Sequence, residues 1–461
     1  MSINLYKRNT HTYKKYLKRI METLGALLIF LIIVHTLNYM YATDDIWTRI
    51  LWHYFYEDKD RIDNIYLGSS HVYSDINPAL LDELNGQYNF NLSTPAQRLS
   101  GSYYLLKEAE RTTPVSHVYL ELYYNLSTKS HTGIDPVYES YHSNWINTDY
   151  MENSWNRLQY AFSIIIDTNK CEDIFFPFIR YREKIGDWDY ISETMHAKEN
   201  ESYLAYEHLE IFEDTNNVTE YRKQGYFYST LALSEADLLF EQSKILEENP
   251  MGKTSEEYLR KIIRYCQKRN IPITLFVSPI PDLKLVSTEN YDNYVSQVKN
   301  IAEEYRLPFY DFNLVKEEYL SLHPHSFRDF DHLNDVGACT FTPFFNEVVS
   351  GDITDNEKYF YTSYEEKLQN TSPAIYGIYY WYSETIEEIP ERRKTFRIAS
   401  NREEEMEYTI ILTPNDGDSY TVQYFTNNKE FSVPANEHGI CMITARTTDT
   451  PDTIQTLEIN Y

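Results

Sequence analysis

The stretch Ile65-Tyr66-Leu67-Gly68-Ser69-Ser70-His71 carries the reading of this chain. A short apolar run ends in a turn of small residues that presents a serine. Far downstream, Asp329-Phe330-Asp331-His332 offers a carboxylate and an imidazole just before a last helical stretch. A serine hydroxyl becomes a nucleophile only with a base beside it, and the base needs a carboxylate to hold its tautomer. Together the two segments point to serine-dependent acyl transfer. Either one alone is weak.

Outward from the serine, strand-like and helix-like stretches alternate. Residues 64–67 read as a strand, 78–84 as a short helix, 88–92 as a second strand, 99–110 as a helix and 117–122 as a third strand. The alternation stops over 126–250, which is rich in Tyr, Trp and charge, with helical stretches at 154–166 and 201–212. It resumes with a helix over 255–268, whose Leu259, Ile262, Ile263 and Cys266 share one face. Residues 273–277 are apolar almost throughout, as a strand of a parallel sheet is when helices cover both its faces. A helix over 291–305, a fifth strand over 308–312 and a closing helix from Asp335 follow. This order predicts an α/β fold with a doubly wound, mainly parallel sheet, built from 60–125 and 251–358 and interrupted by a large helical insertion, 126–250. Short β-rich segments at 377–382, 407–412, 419–425 and 440–445, parted by turns such as Asn415-Asp416-Gly417, predict an antiparallel C-terminal β-domain of sandwich type over 372–461.

The 461 residues suffice for two or three domains and a substantial core. A formal charge of −28 repels phosphates, and no basic patch lies outside the N-terminus, so nucleic acid is not an expected partner. The 44 tyrosines suit stacking on sugar rings, although a Tyr packed with its polar end in water needs no such role. Four scattered cysteines without C-x-x-C spacing argue against a zinc site or a disulfide scaffold, and nothing calls for a cofactor. Residues 24–41 are apolar and about long enough to cross a bilayer. The basic residues of segment 1–23 precede them, and Asp44 and Asp45 follow. The positive-inside rule then predicts a single-pass cell-membrane protein with a cytoplasmic N-terminus and everything after residue 42 outside. A cleaved signal peptide is the rival, but Tyr39 would occupy a position where a signal peptidase wants a small residue.

In an open α/β sheet the active groups collect beyond the carboxyl ends of the strands. Ser70 lies past the first strand, Ala96 past the second, Asn125 past the third, and Asp329 and His332 past the fifth. This pattern resembles the SGNH/GDSL hydrolase superfamily, whose blocks contribute Ser, Gly, Asn and His. Gly68-Ser69-Ser70-His71 is similar to the first block, with Ser69 in place of the usual Asp. Asn91-Leu92-Ser93-Thr94-Pro95-Ala96 resembles the second, with Ser93 and Ala96 in place of both glycines. Val118 to Asn125 aligns with the third, Tyr123 and Leu126 replacing its Gly and Asp, and Asp329-x-x-His332 is similar to the last. The resemblance implies Ser70 as nucleophile, His332 as general base and Asp329 as its orienter. It implies an oxyanion hole from the backbone N–H groups of Ser70 and Ala96 and the side-chain amide of Asn125. With an N-terminal anchor, the chain resembles the membrane-bound branch that includes polysaccharide O-acetyltransferases and teichoic acid D-alanylation proteins. That branch implies a cell-surface glycan or other polymer as substrate and a membrane-embedded acyltransferase as partner.

The same residues admit plainer readings. A serine after a strand is often just a turn former, and Ser69 competes with Ser70. Asn125-Leu126-Ser127 also reads as a glycosylation sequon. Asp331 competes with Asp329, although neighbouring residues rarely fold back on one another in triad geometry. His323, His325, Asp329, Asp331 and His332 could form a metal site, but no ligand motif of fixed spacing accompanies them. Two rival functions remain beside the esterase or transferase: a glycan-binding or assembly protein that keeps the fold without turnover, and a lipase.

Overall fold

The computed structural model describes residues 2–127, 145–168, 171–242, 251–288, 290–351, 356–382, 392–449 and 452–461, without the side chains of residues 2–12, 125, 167, 168 and 453. The chain opens with the helix Ser2–Tyr41. Its portion Tyr13–Tyr41 is long and apolar enough to cross a membrane, and no residue of its most apolar 18-residue window is buried. The following helix, Ile46–Asp58, is capped by the Asp45 carboxylate, which accepts the Thr48 N–H, and buries Ile50, Leu51, Trp52 and Phe55 in the core.

Strand β1 is Asn64–Leu67, β2 Asn89–Asn91 and β3 His117–Glu121. The insertion adds β4 Leu209–Phe212, β5 Asn217–Arg222, β6 Tyr226–Ser229 and β7 Leu239–Glu241. The α/β portion then resumes with β8 Ile273–Val277 and β9 Phe309–Asp311. One five-stranded sheet runs in the order β2-β1-β3-β8-β9, and every pairing in it is parallel. All positions of β1 and β8 are buried, as a parallel sheet covered on both faces requires. The expected strands and the intervening helices Lys253–Arg269 and Tyr291–Tyr305 stand within two residues of their expected bounds. Local signals explain this agreement. The helix Pro78–Asn85, for example, has Asn77 capping the Leu80 N–H, Pro at its start and Gly86 at φ +70 beyond its end.

The insertion is not only helical. The helix Trp155–Thr168 forms as expected, but the stretch expected to be helical to residue 212 stops at Leu204. Tyr206 then takes φ +55, a left-handed conformation that no helix continues through, and the chain enters the antiparallel sheet β4-β5-β6. The β5–β6 turn, with Gln224 at φ +62 and Gly225 at φ +75, lies against β2. A Cβ on Gly225 would come within 2.2 Å of Asn91 O, and Gln224 Nε2 donates to Asn89 O at 2.9 Å. The insertion thus covers the edge strand of the parallel sheet.

The C-terminal strands are β10 Ile375–Tyr382, β11 Arg393–Ser400, β12 Met406–Pro414, β13 Tyr420–Thr426, β14 Glu430–Pro434, β15 Gly439–Thr447 and β16 Thr453–Asn460. They form two sheets, β14-β11-β10-β7 and β13-β12-β15-β16, whose inner residues, among them Ile378, Phe396, Ile398, Tyr408, Ile410 and Ile443, share one core. β7 pairs in parallel with β10, so a strand of the insertion belongs to this unit. Leu283, between β8 and β9, joins the same core.

Candidate active site

β1 ends at Leu67, and Gly68 lets the chain turn against β3. A Cβ at Gly68 would lie 2.6 Å from both Glu121 Cβ and Val72 Cγ2. Ser69 is buried and caps the short helix Ser70–Asp75. Its N–H and Oγ–H donate to Glu121 Oε2 at 3.1 and 3.2 Å, and its Oγ lies 3.0 Å from His71 Nδ1. Ser69 is therefore occupied as a turn residue. Ser70, the first residue of that helix, turns the other way. Its Oγ lies 2.6 Å from His332 Nε2.

The imidazole is presented by a tight antiparallel turn. Phe327 pairs with Leu333, and the Arg328 N–H donates to His332 O at 2.9 Å. Within the turn, Asp329 Oδ1 accepts the N–H groups of Asp331 and His332, each at 2.8 Å. The same carboxylate faces His332 Nδ1, at 2.8 Å from Oδ1 and 2.9 Å from Oδ2. The three-residue spacing does both jobs: an aspartate at the head of a turn satisfies the backbone and reaches the imidazole from below. Burial alone would raise the Asp329 carboxyl. The His332 hydrogen bond, with Arg328 Nε at 3.2 Å from Oδ2, instead holds it well below the usual carboxylate range. Asp331 points elsewhere, accepting the Tyr123 hydroxyl at 2.5 Å and facing Lys284 Nζ at 3.8 Å.

Two contacts fix this turn, one to the serine helix and one to the closing helix Asp335–Ser350. Leu333 N–H donates to Asp75 Oδ1 at 3.0 Å, at the far end of the serine helix. Gly337 lies so close under the turn that a Cβ would be 2.1 Å from Ser326 O. The sequence-predicted Ser70, Asp329 and His332 are thus brought together by hydrogen bonds.

The remaining predicted residues come from neighbouring strand ends. β2 lies beside β1, with Tyr66 opposite Asn91. Asn91 Nδ2 donates to Val72 O and Ile76 O at 3.2 and 2.8 Å, tying this loop to the serine helix. Ala96 takes φ +50, the left-handed conformation that favours glycine. Asn125 belongs to the short helix Tyr124–Ser127 after β3; its side chain lies outside the described residues, so the expected amide contact does too.

Sequence reasoning passed over the groups beneath the triad. Glu121 is buried at the end of β3, and burial pushes its carboxyl up to about 7 against the two Ser69 hydrogen bonds. His71 is fully buried, 4.9 Å from the His332 ring and 4.1 Å from the Tyr123 ring between centroids. Burial, and then the nearby His332, push it down to about 3, so it stays neutral. A charged residue ending an otherwise apolar buried strand was the available signal for Glu121. Among the described residues no group of three or more His, Cys, Asp or Glu is placed to hold a metal ion.

Residues 240–354, which include the histidine turn but not Ser70, match the model of an uncharacterised protein family. No curated protein matches the chain.

Proposed function

We propose that this protein is a membrane-anchored, extracytoplasmic SGNH-like serine esterase or O-acyltransferase acting on acyl groups, most simply acetyl, of a cell-envelope polysaccharide. The observation that carries the reading is the chain of contacts Ser70 Oγ–His332 Nε2–Asp329 at the carboxyl end of β1. The strand order β2-β1-β3-β8-β9 supports it, since this is the order of flavodoxin-like doubly wound sheets, which place ligands where the order reverses beside β1 and β3.

In this reading His332 Nε2 takes the Ser70 proton as Oγ attacks the ester carbonyl. Asp329 fixes the tautomer that leaves Nε2 free to accept, and stabilises the imidazolium that forms. The tetrahedral oxyanion receives the N–H of Ser70, which as the first helical residue has no acceptor within its helix, and the N–H of Ala96. Collapse expels the alcohol, protonated by His332. Water or a sugar hydroxyl, deprotonated by the same imidazole, then releases the acyl group.

A fluorophosphonate probe should label the full-length protein at Ser70, and S70A should lose labelling and acetyl-ester turnover by on the order of 10³-fold or more while keeping its unfolding temperature. Labelling that survives in S70A, or none in the wild type at any pH where it is folded, defeats the assignment.

A further inference from the structure

We propose that the insertion enters the membrane itself, as a foot whose apolar face lies among the lipid acyl chains of the leaflet on the domain's side. The helix Trp155–Thr168 has two apolar faces. Tyr160, Ala161 and Ile164 are buried in the core, whereas Trp155, Leu158, Phe162 and Ile166 are 71, 41, 51 and 81% exposed. At 100° per residue these four fall within one narrow arc opposite the buried one. A helix in water has no reason to carry this second stripe.

What covers the stripe follows from its continuity with the N-terminal helix. Phe162 meets Phe175 edge-on with centroids 6.0 Å apart, and the next residue, Phe176, meets Phe30 of the N-terminal helix at 6.1 Å. Asn38 of that helix accepts the Phe178 N–H at 3.0 Å. Phe30 lies eight residues before Asn38, about 12 Å further along the helix axis, against a half-bilayer hydrocarbon thickness of about 15 Å. If Asn38 sits at the headgroups, Phe176 and the Phe162–Ile166 end of the stripe lie toward the depth of Phe30, within the leaflet.

Polarity is layered in the same sense. A cavity of about 720 Å³ lies between the two helices; His35, Asn38, Asp149, Arg157 and Lys198 line it together with Phe175 and with Trp155 and Leu158, the N-terminal end of the stripe. Asp149 is paired with Arg180 at 2.6 Å, and Lys198 Nζ donates to Tyr39 O at 2.8 Å. Polar groups at the level of Asn38 above apolar groups at the level of Phe30 follow the profile of a leaflet. Seated this way, the domain is fixed in height and tilt, not merely tethered.

The inference rests on Tyr13–Tyr41 spanning the bilayer and does not depend on Ser70. The full-length C171S/C339S protein, carrying one added cysteine labelled with an environment-sensitive fluorophore, is reconstituted in phosphatidylcholine vesicles containing doxyl-labelled lipid. Labels at L28C, F162C, I166C and Y424C are compared; Leu28 reports the span, and Tyr424, 73% exposed on the β-domain, reports water. Blue-shifted emission quenched by doxyl lipid at 162 and 166, as at 28 and unlike 424, is the expected result. Quenching at 28 with water-like emission at both 162 and 166 overturns the foot alone and leaves a membrane-embedded protein to cover the stripe. Water-like emission at 28 overturns the span and the foot together. Using two positions on the stripe keeps the test decisive if one variant fails to fold.

Discussion

At the scale of single residues, the site depends on which proton sits where. In D329N the amide would still accept from the backbone of its own turn through its oxygen, but its nitrogen would donate to His332 Nδ1. That donation forces the proton onto Nε2, the atom that accepts from Ser70 in the proposed mechanism. Turnover should fall by about 10²–10⁴-fold with little change in unfolding temperature; a variant within a factor of two of wild type would show that Asp329 does not orient the base. Glu121 gives a pH dependence. Folded, burial lets it keep its proton up to about 7, whereas an unfolded Glu loses it near 4.5. Its contribution to stability is therefore full below 4.5 and is lost as pH rises through about 7. E121Q should be more stable than wild type at pH 8, by up to about 3 kcal/mol, and indistinguishable at pH 4.5. His71 acts on the acid side. Unfolded, it binds a proton near 6.5, but folded only near 3, so stability drains as pH falls below 6.5. Chemical denaturation across pH 4 to 8 separates the two slopes, and an E121Q profile parallel to wild type would refute the Glu121 assignment.

At the scale of elements, the triad is two turns held in register. The serine turn is fixed by Gly68 against Glu121, and the histidine turn by Gly337 against Ser326 O and by Leu333 N–H on Asp75. G337A should push the histidine turn away from Ser70, cutting fluorophosphonate labelling at least about tenfold and costing about 1–3 kcal/mol through overpacking; labelling at the wild-type rate would show that the turn has slack. The same scale shows where sequence patterns sufficed. Apolar runs placed the strands of the parallel sheet, because a strand buried on both faces has a composition that little else shares. The strands β11, β14 and β16 were not legible. In β11, Lys394 alternates with Phe396 and Ile398 on the buried side, its stem in the core and its Nζ donating to Glu437 O, so the charge hides a buried position. The strands of the insertion were hidden similarly: β4 is exposed at all but its last residue and owes its conformation to pairing with β5, not to a burial pattern.

At the scale of the whole molecule, the three parts are not separable along the chain. β7, from the insertion, is a strand of the C-terminal sheet, and Leu283, from the α/β portion, lies in that unit's core. Phe330, between Asp329 and Asp331, packs on Phe240 of β7 with centroids 5.4 Å apart. Deleting 372–461 should therefore expose β7 and abolish labelling at Ser70, with new protease-sensitive sites around 230–242 and 325–335. F330A should lower turnover while the chain stays folded. A truncated protein that labels like the full chain would show the β-domain to be an independent module. By itself the sequence determined what is local: the strand and helix periods, the apolar N-terminal stretch, and an aspartate three residues before a histidine, which fixes their mutual geometry within one turn. Only the tertiary structure decided which of two adjacent serines faces His332, that Glu121 lies buried beneath Ser69, and that phenylalanines link an exposed apolar stripe of the insertion to the N-terminal helix. Those facts depend on pairings between residues tens to hundreds of positions apart, and such pairings are set by the packing of complementary surfaces, which no short window of sequence contains.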